Sequence, residues 1–214
     1  MNVYFIAEPD GGVTMFDAGI SDMGGALAAA GARLGGIKRI VLGHADCDHR
    51  GGAAALDAPI YCHEHDRAAA ESPEPFRDYW DLDRLSAWAK PVYPRLLRMW
   101  DGGALNVAGT VAEGDEVAGF RVVELPGHAP GLIGLFRDED RLALVSDCFY
   151  TVNPETGRPQ PASVPHPAFN HDTDQARASI RKLASLNPAV AWAGHAAPVS
   201  GHDVEAQLQR AAAG

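Results

Sequence analysis

Between Gly43 and Gly52 the chain reads Gly-His-Ala-Asp-Cys-Asp-His-Arg-Gly-Gly, which sets four groups able to ligate a metal, His44, Asp46, Asp48 and His49, within six residues. Imidazole and carboxylate together suit divalent ions such as zinc, iron or manganese. Gly51 and Gly52 let the backbone turn closely beneath these side chains. Three further candidates stand alone, each just after an apolar run: His128 in Pro126-Gly127-His128, Asp147 after Ser146, and His195 after Ala193-Gly194. Taken singly, any of these histidines reads as a polar loop residue. Taken together, with glycine directly ahead of His44, His128 and His195, they read as one metal centre.

Such a centre needs elements that bring distant residues to one place. Short apolar, β-branched runs alternate with Ala-rich amphipathic stretches, the pattern of an α/β protein. Val3–Glu8 and Val13–Ala18 read as strands of a hairpin closed by Pro9-Asp10-Gly11-Gly12. Asp22 offers an N-cap to a helix reaching about Leu34, and Arg39–Leu42 reads as a buried strand ending directly before His44. A short helix after Gly52, a strand at Pro59–Cys62 and a polar helix from Glu64 follow. Four strands are expected at about 106–112, 119–125, 132–137 and 141–146, then an irregular Pro-rich segment over 152–168. A helix at 173–186, a strand at 189–193 and a helix from 203 complete the chain. Residues at successive strand ends of such a sheet fall on one edge, so His128, Asp147 and His195 are expected to meet the loop at 44–49.

With 214 residues, 46% of them hydrophobic, the chain can bury a sizeable core, and one domain over 1–214 is the expectation. The formal net charge of −10 argues against nucleic-acid or anionic-membrane partners, since polyanions repel it. Part of that charge has a reason to exist if the aspartates hold cations. Cys47, Cys62 and Cys148 cannot all pair and form no disulfide framework, which fits a reducing, cytoplasmic setting. The opening residues lack the basic and apolar regions of a signal peptide, and no apolar run approaches about 18 residues.

The ordered set His44, Asp48, His49, His128, Asp147, His195 resembles the HxHxDH signature of the metallo-β-lactamase superfamily with its later His, bridging Asp and final His. Within that superfamily it is similar to the glyoxalase II-like thioester and lactone hydrolases. The Phe16-Asp17-Ala18-Gly19 segment matches a turn that members often carry. The resemblance implies a four-layered αββα sandwich and two divalent metal ions, zinc by family habit. One ion would be held by His44, Asp46 and His128, the other by Asp48, His49 and His195, with Asp147 between them. One departure matters: Asp46 stands where the family has its second His, giving HxDxDH. A two-His, one-carboxylate set is the kind that non-haem iron uses, so iron or manganese are alternatives. A second departure is that members usually have a strand ahead of Asn2, so the sheet is expected to expose an edge there.

The implied chemistry is hydrolysis of a small-molecule acyl substrate, a thioester, lactone or related ester. Paired divalent ions lower the pKa of a shared water and polarise the carbonyl. Asp48 is placed to orient that water, and Tyr150 is the candidate donor to the oxyanion, since lactone-hydrolysing members of the family it resembles carry a Tyr three residues after the bridging Asp. Tyr150 reads equally as a loop tyrosine facing solvent. Asp17 reads as a partner for a ligand imidazole or as a turn-former, Arg50 as a neutraliser of the acidic loop, and Cys47 and Cys148 as core residues. The stretch 75–101, rich in Phe, Tyr and Trp with prolines at 91 and 94, is expected to form two helical pieces. They could serve as a substrate cap, pack on the sandwich or make a homodimer contact. An iron-dependent oxidoreductase and a non-catalytic binding module are the competing functional readings.

Overall fold

The computed structural model describes residues 1–214. Its first sheet runs in the order β1 (Tyr4–Ala7), β2 (Val13–Phe16), β3 (Ile37–Val41), β4 (Ile60–Cys62) and β5 (Val107–Thr110). The β1–β2 hairpin is antiparallel and every later neighbour is parallel. The second sheet is ordered β12 (Val190–Trp192), β9 (Leu142–Leu144), β8 (Ile133–Arg137), β7 (Phe120–Glu124) and β6 (Glu116–Val117), antiparallel except between β9 and β12.

The period-two alternation of the strands sorts their side chains into layers. Phe16 and Val41 of the first sheet meet Phe120, Val122, Ile133 and Leu135 of the second in a shared core. Their neighbours in sequence, Met15 and Ile40, point the other way and pack with Leu27 of α1 (Gly24–Arg33) and Ala70 of α3 (Glu64–Glu71). Val123 and Ala143 likewise turn outward, against Ile180 and Leu183 of α5 (Thr173–Ser185) and Leu208 of α6 (Val204–Ala213). The result is the expected αββα sandwich. Each fully buried Phe, Leu or Ile contributes roughly 1.5–3 kcal/mol, so three such cores give the strand ends a stiff base.

Topology then gathers the chemistry. Because β7 and β9 both run antiparallel to β8, they are parallel to each other, and β12 is parallel to β9; the C-terminal ends of all three share an edge. The ends of β2 and β3 lie against that edge: Ser146 Oγ–H donates to Asp17 Oδ2 at 2.7 Å, and Ile133 N–H to Gly43 O at 2.8 Å.

Several local expectations are corrected. Asp22 does not cap α1; it lies inside a 3-10 turn, Ser21–Met23, that leads straight into the helix. The Pro-rich segment is not wholly irregular, because β11 (Pro159–Ser163) pairs with β10 (Tyr150–Val152) in a two-stranded ribbon. Proline is tolerated there because a ribbon of two strands is all edge. In the aromatic stretch only α4 (Tyr93–Trp100) is a full helix. Pro94 opens it rather than breaking it, since the first turn needs no N–H from that residue. The other expected piece shrinks to a 3-10 turn at Leu82–Arg84. As expected, β1 forms the edge of its sheet. No helix is long and apolar enough to cross a membrane.

Candidate metal centre

His44 follows β3, and α2 (Cys47–Arg50) carries Asp48 and His49 on its single turn, with Asp46 at its N-terminal boundary. His128, Asp147 and His195 follow β7, β9 and β12. All seven predicted ligands converge. Their donor atoms form three overlapping groups: His44, Asp46 and His128; His44, His49 and Asp147; Asp48, His49 and His195. Asp46 Oδ2 lies 3.4 Å from His44 Nε2 and 3.2 Å from His128 Nε2. Asp48 Oδ2 lies 3.4 Å from His195 Nε2 and 3.9 Å from His49 Nε2. Asp147 sits between the groups, its Oδ2 being 3.7 Å from His128 Nε2 and 3.3 Å from His195 Nε2, and its Oδ1 3.3 Å from His49 Nε2.

The far side of three of the four rings is tied down. Ser146 Oγ–H donates to Asp17 Oδ2 (2.7 Å), so its oxygen is left to accept from His44 Nδ1–H (3.0 Å). His49 Nδ1–H donates to Asp17 Oδ2 (2.9 Å) and His128 Nδ1–H to Asn170 Oδ1 (3.2 Å). With Nδ1 occupied as donor in all three, each Nε2 faces the centre, as metal ligation requires. Asp17 therefore is an imidazole partner, and it also accepts from Gly43 N–H at 2.7 Å. It holds φ at 59°, and Ser146 holds 43°. Such left-handed backbone in non-glycine residues is uncommon, and two of the seven positions that adopt it are Asp17 and Ser146, which orient the rings of His44 and His49.

Two polar atoms test whether a cation fits. His44 Nε2 and Asp147 Oδ1 are buried and have no hydrogen-bond partner, a costly state for a native interior unless an ion satisfies them. Both point into the cluster, so the donor set fits one or two divalent ions, with carboxylate and imidazole in the proportion that zinc, iron and manganese accept.

Without a cation, protons take its place. Burial by itself would push the His49 imidazolium down, but Asp147, Asp17 and Asp48 prevail and raise its pKa well above the usual histidine value. Burial likewise opposes His195, yet Asp147 and Asp48 lift it to about 9. Burial opposes ionisation of Asp46 and Asp147 too, but neighbouring imidazoles, and Arg77 beside Asp46, hold both carboxyls well below the usual range. A pH signature follows. A group raised from about 6.5 to about 9 stabilises the cation-free fold fully below pH 6.5 and loses that contribution as pH rises through 9. Divalent ions must displace the same proton, so their affinity climbs over that window. Melting curves of metal-free protein should fall between pH 6.5 and 9 while metal titrations tighten; parallel trends would contradict the assignment.

Glycine ahead of His195 has a steric cause. A Cβ at Gly194 would run into Asp147 Oδ1 and lie 2.5 Å from His49 Cε1. Gly194→Ala is expected to cost about 1–3 kcal/mol of stability through overpacking and, by displacing two ligands, at least 10–100-fold in metal affinity. Thermal melts alongside metal titration would check both.

Some residues escaped the sequence reading. Arg77, buried in the aromatic stretch, places its Nε 3.1 Å from Asp46 Oδ1 and also donates to Ala45 O. Asn170 and Ser146 orient rings, and Asp66 accepts from Ala45 N–H and Gly131 N–H. Only the unusual Asp46 hinted that a cation would be needed behind it. Arg50 does not neutralise the acidic loop. Fully buried, it pairs with Asp101 at 2.8 Å and donates to the carbonyls of Ala69, Ala70 and Ser72, tying α3 to the chain after α4. Cys47 and Cys148 are buried free thiols, as expected. Tyr150 lines the cavity over the cluster, its ring centroid 6.0 Å from that of His128 and 5.9 Å from that of His195. Burial, with Asp147, Asp48 and Asp46 adding to it, raises its phenol well above the usual value, which keeps it a proton donor.

Comparison with known proteins agrees with this architecture. The profile of the metallo-beta-lactamase superfamily matches residues 2–195. The chain is 31% identical to the probable metallo-hydrolase YflN of Bacillus subtilis, over 97% of this chain and 84% of that protein. Among solved structures, the metallo-beta-lactamase family protein TTHA1429 of Thermus thermophilus superposes with a TM-score of 0.68 at 23% identity, covering 99% of this chain and 73% of its own. TTHA1623, solved in a di-iron-bound form, gives 0.66 at 23% identity, covering 98% and 92%. With its αββα layers and its cluster of imidazoles and carboxylates at the strand ends, the chain belongs to the metallo-β-lactamase superfamily.

Proposed function

We propose that the protein hydrolyses a thioester, lactone or related ester, in the manner of the glyoxalase II-like branch, with two divalent ions, zinc in the first instance. The observation that carries this reading is Asp147 standing between two His/Asp groups, with its Oδ1 and His44 Nε2 buried and unpartnered. His44, Asp46 and His128 would hold one ion, Asp48, His49 and His195 the other, and Asp147 both. Bound there, such ions supply a hydroxide at neutral pH and a Lewis acid for the carbonyl.

The chain's own residues supply the rest. Asp48 is the most accessible of the three carboxylates, its side chain 17% exposed against 5% for Asp46 and 3% for Asp147. That exposure supports Asp48 as the carboxylate that accepts a hydrogen bond from the attacking water and aims it. Tyr150 donates its phenolic hydrogen to the oxygen that gains charge. Stripping the protein with a chelator should abolish turnover of a thioester and lactone panel, and adding back one metal should restore it. Tyr150→Phe should lower kcat about 10²–10³-fold with little change in KM, the loss typical of one oxyanion donor. Metal-loaded protein that turns over no acyl substrate would end the hydrolase reading, and unchanged kcat would remove Tyr150 from it.

A second reading, iron-dependent redox chemistry, is favoured by Asp46, which makes one triad two-His, one-carboxylate. Elemental analysis of protein purified without added metal separates the two: about two equivalents of zinc supports hydrolysis, and retained iron supports the alternative.

A further inference from the structure

The cavity above the metal cluster has an asymmetric chemistry. Its floor presents Asp46, Asp48 and Asp147, and its wall is built from Trp80, Tyr93, Leu97, Trp100 and Phe169. Its lining includes Met1 and no lysine or arginine. Two buried arginines beside the metal-ligand loop are spent elsewhere. Arg77 is bound to Asp46 and backbone carbonyls, and Arg50 to Asp101 and backbone carbonyls. The wall rings are packed against one another, Trp80 edge-on to Phe169 at 5.7 Å and Tyr93 against Phe169 at 5.2 Å, so they form a preset, mainly apolar surface in which Trp80 Nε1 is a buried donor without a partner. The cavity, open to solvent on one side, has a volume of about 190 Å³, below the roughly 300–1,000 Å³ of pockets for drug-sized ligands.

We infer that the acyl half of the substrate is compact and uncharged, a short alkyl or single-ring aryl group, and that acyl groups bearing a carboxylate are rejected. This rests on the hydrolase reading above. For the carbonyl to reach the cluster, one substituent must lie along the wall while the other departs to solvent, so the wall selects the acyl half. A carboxylate placed along that wall loses its hydration among the rings and finds no lysine or arginine side chain there to pair with, which is unfavourable. An alkyl or aryl group buries apolar area at the same place and gains from it. The reaction balances as simple hydrolysis. Water's oxygen bonds to the acyl carbon, the bond from that carbon to sulfur or oxygen breaks, and the leaving atom takes the proton; no oxidant or reductant enters.

The test uses the full-length, metal-loaded protein and thioesters of one thiol, N-acetylcysteamine, in matched pairs: benzoyl with 4-carboxybenzoyl, and the methyl ester of succinyl with succinyl. The expected result is a kcat/KM at least about a hundredfold higher for the neutral member of each pair. Val152→Lys, a change at a half-buried wall position, should shift that ratio at least tenfold toward the carboxylates. Equal turnover within the pairs, or preference for the charged members, overturns the inference while leaving the hydrolase reading standing. Absence of turnover for all four compounds overturns the inference; the hydrolase reading falls with it only if the lactones and esters of the wider panel are also left intact.

Discussion

With two ions held as proposed, Asp147→Asn is expected to strip both from the protein together, whereas Asp48→Asn should weaken only one. The contrast follows from position. Asp147 Oδ2 faces His128 in one group and His195 in the other, and its Oδ1 faces His49. Asp48 Oδ2 faces only His195 and His49. An amide keeps the shape but surrenders the charge, and one of its two ends becomes a donor that repels a cation. Losing a mere outer partner of a ligand costs roughly 10–100-fold in metal affinity; loss of the shared carboxylate should exceed that for both ions, with kcat/KM falling at least as far. Metal stoichiometry by plasma mass spectrometry on the two variants decides the matter. One equivalent retained at full affinity in Asp147→Asn would remove its bridging role.

The second large effect concerns Asp46 and Arg77, whose side chains are each 5% exposed. Asp46 turns Oδ2 toward His44 and His128 and gives Oδ1 to Arg77. The guanidinium therefore leaves Asp46 one free oxygen, about what an imidazole would offer, and cancels the extra negative charge that Asp brings. Breaking a buried pair from one side costs about 3–5 kcal/mol, because the surviving charge is stranded. Arg77→Met and Asp46→His should each destabilise the fold by an amount of that order. Their combination should cost clearly less than the sum, since neither charge then remains. A double-mutant cycle read by denaturant unfolding measures this coupling; additive effects would show that Arg77 does not compensate for Asp46.

Much of the site was legible in the chain because its signal is local. His44, Asp46, Asp48 and His49 crowd into six residues, and His128 and His195 each follow a glycine at the end of an apolar run. Strand positions followed from alternation: Met15 and Phe16, or Ile40 and Val41, lie in different cores because successive strand residues face opposite ways. Element ends were less legible. Whether Asp22 caps a helix or sits in a turn before it depends on a few hydrogen bonds that composition does not encode. Pro94 reads as a breaker in sequence and opens a helix in space.

The sequence by itself determined the inventory: which ligand types exist, in what order, and on which strand ends. Those facts depend on period-two and helical patterning and on spacing along the chain, which act between near neighbours. Only the tertiary structure decided what stands behind each ligand. Arg77 reaches Asp46 across 31 residues, Asn170 reaches His128 across 42, and Ser146 reaches Asp17 across 129. Contacts at such separations are set by how two sheets and a cap segment pack, because burial drives association without specifying which polar groups will meet. The lack of any lysine or arginine side chain in the cavity wall is likewise a property of the packed molecule. The chain has 18 lysines and arginines, and only folding turns them all away from that wall.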